Sequence, residues 1–413
     1  MTTSHQAAWL ALGLAILLVA AKVGGHLAVR FGQLAVLGEL LAGVLLGNLP
    51  GLRGLAWLRD DPSVDVVAQL GSLVLLFEVG LALTVRDVLR VRGRSGAVAT
   101  LGTAFSLTFG WLAAAWLRPQ DGPQGHAFVG AALAATSIGI TARVLWDLSK
   151  TGTREARVIL GAAVIDDVFG LIILAAVTAW VHATAGGPGG ISLPTVGWIL
   201  LKAVAFFAAA FAAGIPLASW SFRAATRLRT AGVQVAAGLV FCFFLSWAAD
   251  VLGLAPIVGA FTAGLILEEA HSAGFVARGE RALPELVEPV SSFLVPVFFV
   301  LMGMRANLSS LAEPGALSVA ACLLAAAVLG KLSCALGAPG MARGAVAVGM
   351  IPRGEVTLIY ANLGLSTRLA GKPLLDASVY SALILVVVAT TLVTPPALRW
   401  ALRPRDGASD RDG

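Results

Sequence analysis

Charged residues are scarce in this sequence, and this scarcity limits what the protein can be. Asp, Glu, Lys and Arg make up 13% of the 413 residues, whereas hydrophobic residues make up 58%. Soluble globular chains carry about 25% charged residues, so the composition excludes a soluble domain. The mean hydropathy of +0.88 predicts an all-α protein that crosses a membrane many times.

Cysteine is also rare. Cys242, Cys322 and Cys334 all lie in apolar runs and lack the spacing of metal ligands. We therefore expect no disulfide framework, no cofactor and no structural metal. The Met1–Gln6 segment carries no Lys or Arg, so we expect no cleaved signal peptide. The net charge of +6 comes mostly from loops and does not indicate a nucleic-acid partner.

Apolar runs that could cross about 30 Å of hydrocarbon predict about thirteen transmembrane helices. They lie near residues 7–29, 33–49, 64–84, 97–117, 127–147, 157–182, 195–220, 232–252, 255–269, 286–304, 314–337, 342–364 and 376–401. Positive charge follows alternate helices, as with Arg86, Arg90, Arg92 and Arg94 after the third and Lys150, Arg154 and Arg157 after the fifth. The positive-inside rule then places the N-terminus outside and the C-terminus in the cytoplasm.

A weak internal repeat links the second and ninth predicted helices. Gly38–Gly43 and Gly259–Gly264 both read G-x-x-x-A-G. A shift of about seven helices would make the second copy inverted, giving about six helices, a linker helix and six more. The alternative is that small residues recur wherever membrane helices pack closely.

Two predicted helices contain polar, glycine-containing interruptions. The fifth holds Thr136–Thr141 (TSIGIT), and the twelfth holds Gly349–Glu355 (GMIPRGE). Irregular backbone at membrane depth must be buried in protein or line a cavity. Interrupted helices at matching positions in two halves point to a transport site. The alternative is a simple proline kink at Pro352 beside a Ser/Thr contact.

Asp166 and Asp167 stand together within an apolar run from about Val158 to Val181. Carboxylates inside the membrane cost about 3 kcal/mol each on insertion scales, and they commonly face a water-filled cavity and carry ions or protons. A helix end reaching headgroup water is the alternative. Adjacent helical residues point about 100° apart, so the two aspartates have different surroundings. Such a site binds a cation when deprotonated and releases it when protonated.

Further charges lie within the predicted helices. Lys331 would seek a carboxylate, although snorkelling to the membrane surface is an equal alternative. Arg353 and Glu355 flank the second interruption, where they could offset the ends of two half-helix dipoles. Glu39 and Glu78 could each be a second proton or ion ligand, or form a buried hydrogen bond to a neighbouring helix.

Together these residues resemble the cation:proton antiporter superfamily (monovalent cation:proton antiporter-2 type), in its bacterial electrogenic sodium/proton antiporter branch. The resemblance extends from about residue 8 to 400. The matching stretches are Leu37–Gly43 (LGELLAG), Thr136–Arg143 (TSIGITAR), Gly161–Gly170 (GAAVIDDVFG), Gly330–Leu332 (GKL) and Gly349–Val356 (GMIPRGEV).

The resemblance implies one transmembrane exchanger domain, residues 1–403, and a short cytoplasmic tail, residues 404–413. It implies a homodimer in the bacterial inner membrane, with core helices that move against dimerisation helices in an elevator-like step. The dimerisation helices would be about 7–84 and 232–304, the core helices about 97–182 and 314–401, and the linker helix about 195–220.

The resemblance also assigns roles within the site. Asp167 looks like the main ion-binding carboxylate, and Asp166 looks like the neighbour that pairs with Lys331. Thr136 and Ser137 match an unwound crossing segment, and Arg353 and Glu355 would support the crossing helices. An adjacent pair of aspartates is the family pattern for electrogenic exchange, so Na+ or Li+ would bind at Asp167 and Asp166 in exchange for H+.

Three rival hypotheses remain at this level. An intramembrane aspartyl protease needs aspartates that share a water from different helices, which adjacent residues do not supply. A non-transporting sensor on the same fold need not keep a proton-coupled site. A K+/H+ or non-selective exchanger keeps the class and changes the ion, and the sequence leaves this choice open.

Overall fold

The computed structural model describes residues 3–49, 54–55, 57–83, 85–184, 193–225, 232–267, 281–305, 316–369 and 372–403. Within these residues the regular secondary structure is helical apart from one short strand pair. The helices are α1 (Thr3–Arg30), α2 (Ala35–Asn48), α3 (Trp57–Asp60), α4 (Pro62–Leu81), α5 (Val85–Leu117), α6 (Gly122–Ala134), α7 (Ile138–Asp147), α8 (Arg154–Thr184), α9 (Leu193–Ala225), α10 (Val233–Val251), α11 (Pro256–Ile266), α12 (Leu283–Met304), α13 (Ala316–Leu332), α14 (Arg343–Gly349), α15 (Glu355–Ser366) and α16 (Ala377–Ala401).

Shorter elements complete the description. Short 3-10 helices cover Pro119–Asp121 and Ser333–Gly337. Strands β1 (Arg368–Leu369) and β2 (Lys372–Pro373) pair antiparallel before α16. The predicted tail at 404–413 lies outside the described residues.

The described helices confirm a membrane protein that is built from α-helices. Nine spans among them are long and apolar enough to cross a bilayer, with residues 119–147 counted as one span. Three shorter apolar helices accompany them, at Ala35–Asn48, Pro256–Ile266 and Val356–Leu365. The number of crossings in the complete chain stays a prediction.

The helix predicted near residues 97–117 begins earlier in the structure. Helix α5 begins at Val85, so the residues from Arg86 to Arg94 are helical. Hydropathy detects only the apolar part of a span, whereas a helix can extend past the bilayer with charged residues in water. The positive charge therefore lies on a helical extension.

Aspartates fix the start of two helices. The Oδ1 atom of Asp61 accepts hydrogen bonds from the backbone N–H of Ser63 at 2.8 Å and of Val64 at 3.1 Å. Pro62 occupies the first position of α4, where its missing N–H costs nothing. The Oδ1 atom of Asp376 caps α16 in the same way, at 2.9 Å from the N–H of Val379.

The glycines of the two G-x-x-x-A-G stretches lie against the backbone of neighbouring helices. A Cβ atom on Gly38 would meet Gly24 of α1, and one on Gly43 would meet Val300 of α12. The corresponding contacts of Gly259 and Gly264 are with Leu245 of α10 and with Phe77 of α4. Close helix packing by small residues therefore accounts for the pattern, and the inverted repeat stays a prediction.

The helices pack in two sets, with α7 between them. In one set, α12 packs against α1, α2 and α4, and α11 packs against α4 and α10. In the other set, α5 packs against α6, α8 and α13, and α13 packs against α16. Helix α7 contacts α2 and α4 of the first set and α8 and α16 of the second.

Candidate functional site

A carboxylate and an ammonium group meet in the interior, between α8 and α13. Asp166 Oδ2 accepts a hydrogen bond from Lys331 Nζ at 2.8 Å. The exposed fraction is 1% for Asp166 and 0% for Lys331. The Lys331 ammonium thus bonds a carboxylate within the protein rather than snorkelling, and Asp166 lies in the middle of α8 rather than at its end.

Helix α5 contributes a third member to this pair. The hydroxyl of Thr103 donates a short hydrogen bond to Asp166 Oδ1, so both carboxylate oxygens of Asp166 accept hydrogen bonds. Next to it, a Cβ atom on Gly102 would lie 2.5 Å from Cys334 Sγ and 3.3 Å from Lys331 Cδ. The absence of a side chain at Gly102 therefore makes room for the cysteine and lets the lysine lie close to α5.

Neither Thr103 nor Gly102 was predicted from the sequence. Each is a small residue in an apolar helix, and nothing in the local pattern separates it from other packed positions. Their partners lie far along the chain, since Thr103 and Asp166 are 63 residues apart. Only the packing of α5 between α8 and α13 makes them part of the site.

The two predicted interruptions are present and touch each other. Residues 135–137 separate α6 from α7, and residues 350–354 separate α14 from α15. The backbone N–H of Ser137 donates to the carbonyl of Pro352 at 2.8 Å. The hydroxyl of Thr136 donates to the carbonyl of Met350 at 3.3 Å, and both side chains are buried. Each interruption thus satisfies backbone groups that the other leaves without helical partners.

Arg353 ties these interruptions to α13. Its side chain is fully buried, and its Nη1 donates to the carbonyl of Ala135 at 2.7 Å while its Nη2 donates to that of Ala327 at 3.2 Å. The Ala135 carbonyl lies at the negative end of the α6 dipole, where a cation is stabilising. The Ala327 carbonyl lies one turn before Lys331 on α13. The guanidinium therefore holds the first interruption next to the helix that carries the lysine.

Further contacts lock α15 in place. The hydroxyl of Tyr360 donates to the carbonyl of Gly170 on α8 at 2.8 Å, and that of Thr357 donates to the carbonyl of Ala132 on α6 at 2.9 Å. A Cβ atom on Gly354 would lie 2.6 Å from Ser137 Oγ. The side chain of Glu355 lies outside the described residues, although its backbone begins α15.

The structure brings together some of the predicted site residues in direct bonds. Asp166 pairs with Lys331, and Thr136 and Ser137 bond the second interruption. Asp167 follows Asp166 on α8 and is 8% exposed. The ion-binding role of these residues stays a prediction.

A buried carboxylate–lysine pair beside two interrupted helices, in an all-helical membrane protein, is the arrangement of a secondary ion transporter. Two solved structures of the sodium proton antiporter MjNhaP1 from Methanocaldococcus jannaschii share this fold, with TM-scores of 0.59 and 0.62. They are 16% and 17% identical to this chain and cover 94% and 95% of it, and the match covers 95% of each of them.

The chain belongs to the transmembrane sodium/hydrogen exchanger family, whose model matches residues 13–403. It is 33% identical to the high-affinity Na(+)/H(+) antiporter NhaS3 of Synechocystis sp., over 94% of this chain and 88% of that relative. It is 32% identical to the Na(+)/H(+)-K(+) antiporter GerN of Bacillus cereus, over 96% of this chain and 97% of that relative. These matches confirm the resemblance to the cation:proton antiporter superfamily. The chain is a transporter rather than an enzyme, which excludes the intramembrane protease.

Proposed function

We propose that this chain exchanges Na+ or Li+ for H+ across a bacterial inner membrane, and that the exchange is electrogenic. The observation that carries the proposal is the buried contact of 2.8 Å between Asp166 and Lys331, one residue from Asp167. Ionisable groups inside a membrane protein typically serve ion or proton paths. Here two carboxylates and an amine can hold protons, and the carboxylates can also bind a dehydrated cation.

The proposed cycle follows from competition at these groups. With the site open to the cytoplasm, Na+ displaces protons from Asp167 and from Asp166 or Lys331. The bound Na+ compensates the carboxylate charge, so the site can cross a low-dielectric region at lower cost. On the outer side, protons displace Na+ and the protonated site returns. Thr136 and Ser137 would add oxygen ligands to the cation, and Arg353 and Glu355 would support the crossing segments.

An elevator-like movement would carry the site across. In this proposal the core helices, about 97–182 and 314–401, move against the dimerisation helices, about 7–84 and 232–304, with 195–220 as the linker. The two packing sets described above, with α7 between them, support such a division. A homodimer, an inverted repeat of about six helices on each side of the linker, and an N-terminus outside complete the proposal.

A K+/H+ or non-selective exchanger is the second candidate. One relative, GerN, is named a Na(+)/H(+)-K(+) antiporter, so K+ transport occurs among similar proteins. The bonds around Asp166 and Lys331 suit any monovalent cation that the carbonyl and hydroxyl oxygens of the site can coordinate. A non-transporting sensor is the remote alternative. The buried titratable pair argues against it, because a sensor does not need such a pair.

Solid-supported-membrane electrophysiology on the purified protein in liposomes tests the proposal. Jumps in Na+, Li+ or K+ concentration are applied at several pH values to the wild type and to Asp167→Asn. We expect a Na+-triggered charge movement in the wild type and its loss in Asp167→Asn, because the amide cannot exchange a proton for a cation.

Asp60→Asn provides the matched control, because this aspartate side chain is 71% exposed and should leave the current unchanged. Wild-type exchange in Asp167→Asn would refute the assignment of the site. A signal with K+ alone would keep the site and change the ion. Proton movement without current would show electroneutral exchange.

A further inference from the structure

A second group of buried charges lies away from Asp166 and Lys331, around Arg143 on α7. Arg143 Nε donates to Asp147 Oδ1 at 2.8 Å, and its Nη2 lies 3.5 Å from Glu39 Oε1 on α2. The guanidinium carbon lies 5.9 Å from the centre of the Phe299 ring on α12. Glu78 on α4 also lies within electrostatic range of Arg143, with Ser291 of α12 beside it. We call Glu39, Glu78, Arg143 and Asp147 the Arg143 cluster.

The cluster lies at one end of the molecule, where three helices meet. Glu39 is close to the start of α2 and Glu78 is close to the end of α4, and these successive spans place both at the same side. Asp147 ends α7. The exposed fraction is 3% for Glu39 and 2% for Glu78, so neither carboxyl group has access to bulk water.

Three carboxylate oxygens of the cluster have no hydrogen-bond donor among the described residues. They are Glu39 Oε2, Glu78 Oε1 and Asp147 Oδ2. An ionised carboxylate that is buried without donors is strongly unfavourable, and such a group normally takes up a proton. Protonation of such a carboxyl group would remove a charge that no donor stabilises at the orphaned oxygen.

The charges around the cluster do not balance. Arg143 can compensate one carboxylate, and its shortest contact is with Asp147 at 2.8 Å. Its 3.5 Å separation from Glu39 exceeds the about 2.7–2.9 Å of a charge-assisted hydrogen bond. Glu39 and Glu78 are therefore the two carboxyl groups without a strong ionic partner.

Other charged groups that face the cluster do not supply the missing charge. Lys22 on α1 is exposed and donates to the carbonyl of Ser292 at 3.2 Å. Glu288 on α12 adds a further negative charge and is exposed. Helix α11, which also packs against α4, contains no charged residue. The described surroundings of Glu39 and Glu78 thus favour their neutral forms.

We propose that the Arg143 cluster is a second proton-binding site, with protons held on Glu39 and Glu78. Helix α7 carries Arg143 and begins at the interruption that holds Thr136 and Ser137. Loss of the two protons would place two more negative charges between α7 and its neighbours α2 and α4. Under the exchange cycle proposed above, the charge around Arg143 would then change with pH on the helix that begins at Thr136 and Ser137.

Infrared spectroscopy of the purified protein tests the proton site without requiring transport. We expect a C=O stretching band of protonated carboxyl groups in the wild type near neutral pH. Glu39→Gln and Glu78→Gln should each remove part of this band, and the double variant should remove more. Each variant should unfold at the same temperature as the wild type, because a neutral amide replaces a neutral acid of the same shape.

Glu285→Gln is the matched control, because Glu285 lies on α12 outside the cluster and is exposed. This variant should keep the band. Asp167→Asn should also keep the contributions of Glu39 and Glu78, so failure of the exchange proposal can be told apart from failure of this one. A band unchanged in both glutamine variants would overturn the proposal. Strong destabilisation of those variants would also overturn it, since it would mean that Arg143 had lost an ionised partner.

Discussion

The two oxygens of Asp166 are both engaged, one by Thr103 and one by Lys331. A cation that binds Asp166 therefore competes with the ammonium and the hydroxyl for the same two carboxylate oxygens. Displacement of the Lys331 ammonium from its carboxylate would favour release of its proton, because an isolated ammonium in a buried site is unfavourable. Competition between cation and proton would thus follow from a single shared carboxylate.

At this residue scale, removal of one partner should cost more than removal of both. Lys331→Ala leaves the buried Asp166 carboxylate without its cation, and such broken pairs lose about 3–5 kcal/mol of stability. Thermal unfolding of the detergent-solubilised protein should show a clear fall in the midpoint temperature. The double variant Asp166→Asn with Lys331→Gln should recover most of the loss, because neither member of the pair is then charged and without its partner.

The corresponding control uses a lysine whose ammonium bonds a backbone carbonyl rather than a carboxylate. Lys22→Ala removes an exposed lysine that bonds one backbone carbonyl and should hardly change the unfolding temperature. Equal instability of the single and double variants at Lys331 would mean that packing, rather than charge pairing, determines the stability at this position.

At the scale of elements, the contact between the two interruptions depends on a glycine. A Cβ atom on Gly354 would lie 2.6 Å from Ser137 Oγ and 2.8 Å from Ser137 Cβ. Gly354→Ala should therefore push residues 135–137 away from the second interruption, at about the 1–3 kcal/mol typical of overpacking. Unfolding temperature and Na+-dependent exchange should both fall.

A second substitution can relieve this crowding. Gly354→Ala combined with Ser137→Gly removes the clashing atoms and should restore the unfolding temperature, although the proposed ligand oxygen at position 137 is lost. Gly344→Ala is the matched control, because a Cβ atom there meets nothing within 4 Å. A Gly354→Ala protein with wild-type stability and exchange would show that the interruptions can separate without consequence.

The sequence could predict the helices and their two interruptions because a membrane restricts the length and the backbone structure of the segments that cross it. Bilayer thickness sets helix length, and glycine with Pro352 marks the broken backbone, so both interruptions were predictable from local pattern. Thr103, Gly102 and the pairing of Arg143 with Glu39 were not, because each depends on which helices become neighbours. Lys331 was only partly predictable. Its charge within an apolar helix could be read from the sequence, whereas its contact with Asp166 depends on the packing of α8 and α13 against α5.

At the scale of the whole molecule, the proposed cycle moves net charge across the membrane. If two protons exchange for one Na+, about one elementary charge crosses per cycle, and a membrane potential of 100 mV is then equivalent to about 2.3 kcal/mol. Because about 1.4 kcal/mol corresponds to a tenfold ratio, that potential should support a Na+ gradient of about fifty-fold. An electroneutral exchanger of the same fold would build no such gradient.

This difference can be measured in proteoliposomes with equal pH and equal Na+ on both sides. A K+ gradient with valinomycin imposes the potential, and a Na+-sensitive dye reports the internal concentration. We expect internal Na+ to change in the direction set by the sign of the potential, and to change in the opposite direction when the K+ gradient is reversed. Liposomes that contain the Asp167→Asn variant measure the passive leak of Na+. The contrary outcome is an internal Na+ concentration that does not respond to the potential while pH-driven exchange still works. It would mean that one proton is exchanged per Na+, and the Asp166–Lys331 pair would then have a structural role only.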